Sequence, residues 1–137
     1  MRYDKRVDWD ARPRWRLSRG ATIALGPGKA DLLEAIDRTG SISAGARELG
    51  MSYRRAWLLV DTMNRSFLRP PVATSRWRRE GAWLTPEGRT ILELYRGLQA
   101  RSVLTGRPLL AALRKLLKPA RQARARRKAA RSRPRAV

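Results

Sequence analysis

Residues 24–67 read ALGPGKADLLEAIDRTGSISAGARELGMSYRRAWLLVDTMNRSF, and the order of apolar residues and breakers along this stretch sets the fold. From Lys29 onward, Leu32, Leu33 and Ile36 share one helical face while Asp31, Glu34, Asp37 and Arg38 fall elsewhere. Gly40 ends that helix as a C-terminal glycine. Ser41 or Ser43 then caps a second, short helix with Ile42, Ala46 and Leu49 inward, and Gly50 stops it. Ser52 caps a third helix from about Tyr53 to Phe67, along which Ala56, Leu59, Val60, Met63 and Phe67 form a buried stripe. Pro70 and Pro71 forbid its continuation.

Helix, short helix, glycine turn, longer helix is the helix-turn-helix arrangement. Small residues at Ala44, Gly45 and Ala46 let the second helix approach its neighbours closely. The third helix then presents Ser52, Tyr53, Arg54 and Arg55 at its N-terminal end, the part that enters a major groove. Arginine reads guanine through the O6 and N7 acceptors, and a helix N-terminus welcomes a phosphate. Taken alone, Arg54 and Arg55 read as readily as an ordinary solvated face. Trp57 and Leu58 leave the buried stripe, and packing against the N-terminal strands or a second subunit is the expectation, ahead of DNA contact.

On either side of this centre, the elements are small. Arg14 to Arg19 alternates Trp15 and Leu17 with polar residues, Gly20 breaks it, and Thr22 to Leu25 follows as a second strand. After the third helix, Val72–Thr74 and Ala82–Leu84 are short strands around Ser75 to Gly81. That strand–loop–strand unit makes a wing, with Arg76, Arg78 and Arg79 at its tip for phosphates or the minor groove and Trp77 beside them. Thr85-Pro86-Glu87 opens a further helix carrying Ile91, Leu92, Tyr95, Leu98 and Leu104 before Gly106 and Pro108. A separate amphipathic segment, Leu109 to Lys118, ends at Pro119.

Composition excludes much else. The 137 residues contain neither cysteine nor histidine, which removes disulfides, thiolate and histidine metal sites, and the usual general base. The 11 acids are scattered among 32 cations, and no catalytic pair stands out, so no catalytic residue, metal site or cofactor is expected. Residues 1–93 carry 18 basic and 11 acidic residues, whereas residues 94–137 carry 14 basic and no acidic ones. A polyanion suits such a tail, although 27 of the 32 cations are arginine, which genomic base composition also favours. No run approaches the length of a membrane span, and the charged start lacks the apolar run of a secretory signal. Gly28-Lys29 fails as a phosphate loop, because Ile23 and Ala30 stand where a glycine and a hydroxyl are required.

The stretch 24–67 resembles the DNA-binding domain of the ModE family, molybdate-responsive bacterial regulators whose winged helix is related to that of LysR-type proteins. The most specific pieces are Ile36-Asp37-Arg38-Thr39-Gly40-Ser41-Ile42-Ser43, Ser52-Tyr53-Arg54-Arg55-Ala56-Trp57, and Met63-Asn64. Leu84-Thr85-Pro86-Glu87-Gly88-Arg89 resembles the family's wing-to-helix junction and Leu94-Tyr95 its next helix. The resemblance covers about residues 14–104. It implies that Ser52 to Arg55 start the recognition helix, and that the helix after Thr85 helps form a homodimer with the N-terminal strands. Two departures accompany it: an Arg/Trp-rich wing where the family's is glycine-rich, and a basic tail where sensing members carry molybdate-binding domains. The tail removes any expectation of molybdate binding from this chain.

The expected architecture is therefore mainly α with small β (α+β). It is a winged helix-turn-helix over residues 14–105, with a flexible arm at 1–13, a long helix after the wing, and a basic tail at 106–137 that is disordered over 120–137. The expected function is sequence-specific binding of double-stranded DNA in transcriptional regulation, in the cytoplasm at the nucleoid, as a homodimer with no membrane role. Ser41, Ser43, Ser52, Tyr53, Arg54, Arg55, Arg76, Arg78 and Arg79 form the expected DNA-binding set. A DNA-coating protein driven by the tail is the alternative. An interaction module using Leu109 to Lys118, docking a separate sensor subunit or an anionic membrane, is a third reading.

Overall fold

In the computed structural model, residues 11–75 and 81–118 are described. The expectations for residues 1–10, for the wing-tip residues Arg76, Trp77, Arg78 and Arg79, and for the tail from Pro119 lie outside the described residues. Arg14–Arg101 is one unit and holds nearly every element.

Strands β1 (Leu17–Arg19) and β2 (Thr22–Leu25) form an antiparallel hairpin that turns at Gly20. A bulge between Leu17 and Ser18 shifts the register. Helix α1 (Pro27–Thr39) starts with proline in its first turn, where a missing N–H costs no helix bond. It buries Ala30, Leu32, Leu33, Ala35 and Ile36 and ends where Gly40 turns left-handed and donates its N–H to the Ile36 carbonyl. Helix α2 (Ile42–Glu48) is capped by Ser41, whose hydroxyl accepts from the Ala44 N–H at 3.0 Å. Ser43 lies inside the helix, so the choice of cap falls on Ser41. A Cβ on Gly45 would sit 3.4 Å from the Ile36 side chain and from its backbone nitrogen, so α2 crosses α1 almost backbone to backbone. Leu49 caps the C-terminus and is more than a third exposed, against the expectation that it points inward; α2 ends too early to turn it under.

Helix α3 (Tyr53–Ser66) is capped by Ser52, which accepts from the Arg55 N–H at 3.1 Å. Ala56, Val60 and Met63 form its buried stripe, with Leu59 and Phe67 packed at the margin. Strands β3 (Val72–Thr74) and β4 (Ala82–Leu84) pair antiparallel, Val72 opposite Leu84 and Thr74 opposite Ala82. Asn64 fastens the wing to α3: its amide donates to the Val72 carbonyl at 3.0 Å and its carbonyl accepts from the Val72 N–H at 3.1 Å. The Ala82 N–H donates to the Gly40 carbonyl, joining the wing to the α1–α2 corner. The fold is the expected α+β winged helix-turn-helix.

Helix α4 (Pro86–Leu116) corrects the expectation of a stop before Gly106 and Pro108 and of a separate segment beyond them. A proline removes one helix bond, and a glycine is a weak breaker. Leu, Ala, Arg and Lys dominate positions 107–116 and favour the helix strongly enough to carry it through. Within Arg14–Arg101, α4 is held to α1 by Arg96, whose guanidinium reaches Asp31 at 2.8 Å and Glu34 at 3.1 Å. In the other unit, Leu104, Leu109, Leu113 and Leu116 are exposed.

Candidate nucleic-acid interface

The N-terminal end of α3 is built by its own cap. Ser52 fixes the first turn, so the side chains of Tyr53, Arg54 and Arg55 leave the helix at set angles, each about 100° from the last. All three are exposed while Ala56 is fully buried. The buried stripe therefore holds the helix by its inner side, and the cations leave it elsewhere.

The two arginines take different surroundings. Lys29 stands in the first turn of α1, and burial, then the nearby Arg55 charge, lower its pKa. Gly26, the N-cap of α1, offers no side-chain hydrogen bond to the first N–H groups. An anion near this pair of like charges would relieve their repulsion. Lys29 was not among the residues expected from sequence, because nothing in the local pattern links it to Arg55; the packing of α1 on α3 makes the pair.

On the wing side, Tyr53 and Trp57 line a groove of about 220 Å³ together with Ile42, Ser43, Thr74, Ser75, Gly81 and Ala82. Of the two expected packings, the one against the N-terminal strands is corrected: Trp57 stands beside the wing strands instead. Position 57 stands one helical turn beyond Tyr53, so the two rings share a face. Ser43 joins this groove. Ser41 and Ser52 are engaged first as caps. The Ser75 N–H donates to the Gly81 carbonyl at 2.9 Å and holds the wing strands together where they leave the described residues.

A second groove, of about 210 Å³, is almost wholly apolar and lies between the segment around β1 and helix α4. Trp15, Leu17, Leu94 and Leu98 line it and are all more than 40% exposed, and Phe67 and Ile91 form part of its wall. The alternation of Trp15 and Leu17 therefore marks a surface, not the core. The Tyr95 hydroxyl donates to the Trp15 carbonyl at 2.9 Å and ties the two sides together. Among the described residues no cluster of acidic side chains could hold a metal ion, and no helix is long and apolar enough to cross a membrane.

Similar proteins were found by sequence. The chain is 39% identical over 92 residues to the molybdenum-pterin-binding protein MopB of Rhodobacter capsulatus, covering 62% of this chain and 34% of that protein. It is 39% identical over 88 residues to the molybdenum transport protein ModE of Azotobacter vinelandii, covering 63% and 33%. It is 37% identical over 71 residues to the DNA-binding transcriptional dual regulator ModE of Escherichia coli K12, covering 50% and 27%. The chain thus spans about a third or less of the length of these curated relatives. No family model matches. Among solved structures, ArgP from Mycobacterium tuberculosis superposes with a TM-score of 0.44 at 19% identity, over 64% of this chain and 30% of that one.

Proposed function

We propose, from its relation to ModE-type regulators over the winged helix, that this chain binds double-stranded DNA as a transcriptional regulator, reading the major groove with α3. One observation carries the reading: the capped N-terminal turn of α3 holds Tyr53, Arg54 and Arg55 outward on a helix whose opposite side is buried. The similarity to ModE of Escherichia coli, named as a DNA-binding regulator, supports it. Arg54 is the base-reading cation: it is exposed on the first turn of α3, and Arg55 instead shares its surroundings with the like charge of Lys29. Arg55 with Lys29 takes a backbone phosphate. Ser41, Ser43 and Ser52 hold the helix ends and the groove wall against the duplex. Arg76, Arg78 and Arg79 contribute phosphate or minor-groove contacts from the wing.

The functional unit is a homodimer. Trp15, Leu17, Leu94 and Leu98 form an exposed apolar surface on a chain of high positive charge, and a second copy of the same surface is its self-complementary cover. Selection of binding sites from random duplex DNA with the full chain tests the whole reading. The expected result is an enriched inverted repeat with half-sites about 34 Å apart or a multiple of it. Binding without enrichment would leave only a DNA-coating activity and sink the proposal.

A further inference from the structure

Trp57 presents a question the cations leave unanswered. Its indole is 47% exposed and Tyr53 is 56% exposed, although an aromatic side chain gains most by burial. Neither ring belongs to the core stripe of α3, and their groove shares no residue with the apolar surface around Leu94. Among the described residues no acidic side chain lines that groove, and Arg54 leaves α3 between the two rings in sequence. An acidic protein partner and a nucleic acid both suit the charge. Only one of them fits where the rings stand, on the first turns of the helix assigned above to the major groove.

The chemistry of that groove narrows the contact. Base edges there offer hydrogen-bond donors and acceptors, with one apolar group among them, the 5-methyl of thymine. A half-exposed indole cannot pair with N7, O6 or N4 through its face, but it can cover a methyl. Intercalation is disfavoured, because a ring fixed on a helix lying in the groove meets base edges and not the stacking gap.

Resting on the reading of α3 as the recognition helix, we propose that Trp57, buttressed by Tyr53, covers the methyl group of a thymine and is a specificity-determining residue. Ser43 and Thr74 edge the same groove and contribute polar contacts beside it. The site is thus mixed: Arg54 reads a guanine and Trp57 a thymine on the wing side of it.

The test uses the full chain and its selected duplex, with each thymine in turn replaced by deoxyuridine, which removes the methyl and nothing else. At one position in each half-site the replacement should weaken the wild-type chain about four-fold, the value of one buried methyl-sized group. Trp57→Ala should bind thymine and uridine duplexes alike at that position, and Trp57→Phe should restore part of the difference. Trp57 is half covered, so binding is compared well below the melting temperature of each variant, and Trp57→Phe keeps most of the packing. If Trp57→Ala retains the full methyl effect, or no position shows one, the thymine assignment falls while selective binding through Arg54 stands. If the wild-type chain selects no sequence at all, both readings fall together.

Discussion

Gly88 in the first turn of α4 lies directly against the Pro71 carbonyl that precedes β3. A Cβ placed on Gly88 would overlap the carbonyl oxygen and come within 2.9 Å of the carbonyl carbon. The same carbonyl accepts from the Thr85 N–H at 3.0 Å. The Thr85 hydroxyl donates to the Pro70 carbonyl at 2.7 Å and accepts from the Gly88 N–H at 3.1 Å. Thr85 is therefore both the cap of α4 and its anchor to the start of the wing, and only glycine at position 88 lets the two backbones meet.

Gly88→Ala should therefore destabilise the protein by about 3 kcal/mol, at the upper end of overpacking costs because the obstacle is backbone. Gly97 is the control. It lies in the same helix, and a methyl group there would have nothing within 4 Å, so Gly97→Ala should stabilise by about 0.5–1 kcal/mol through helix propensity. Urea or thermal unfolding of both variants reads the contrast. Equal effects would show that α4 does not seat on Pro71 as described.

Tyr95→Phe removes the hydroxyl that donates to the Trp15 carbonyl and should cost about 1 kcal/mol. Burial raises the Tyr95 pKa above its ordinary value. A group whose folded pKa is raised holds its contribution below its unfolded value and loses it as the pH climbs through the folded one. Wild-type stability should accordingly fall above about pH 10, and that fall should be shallower in Tyr95→Phe. Chemical unfolding across pH 8 to 11 measures both.

Arg54→Ala should weaken binding of the selected site by about 1–3 kcal/mol and relax the preference at one base pair, as loss of a bidentate guanine contact does. Lys29→Ala should act alike on every sequence and reduce the slope of log K against log salt by about 0.9. Titrations at several salt concentrations separate the two. A change in base preference from Lys29→Ala, or none from Arg54→Ala, would reverse their assigned roles.

Replacing Leu94 and Leu98 together by Glu should yield a folded monomer, because both side chains are already exposed. Sedimentation should report the halved mass, and affinity for the inverted repeat should drop while a single half-site is still bound weakly. A dimer that survives the double change would place the interface elsewhere.

Ser52, Gly40 and Gly50 could be read from sequence because caps and stops act within a few residues of themselves, whereas Ser41 was separated from Ser43 as a cap only by the structure. The stripe Ala56, Val60 and Met63 was legible for the same reason: a period of 3.6 is written along the chain. Leu98 was legible as apolar but not as exposed, since periodicity cannot say whether a second surface covers it. Gly106 and Pro108 looked like an end because each is a breaker alone, whereas α4 depends on the sum of propensities on either side.

The order of helices, the position of the turn before α3, the wing strands and the excess of positive charge are all properties of near neighbours in the chain, and the amino-acid order alone dictates them. Which side chains share a site is instead a matter of packing in three dimensions. Packing brought Arg55 to Lys29, Trp57 to the wing strands, Gly88 to Pro71, and Tyr95 to Trp15 across 80 positions. These meetings depend on the angles at which helices cross, and those angles are set by the simultaneous packing of residues far apart in the chain, such as Arg96 on Asp31, rather than by any local pattern.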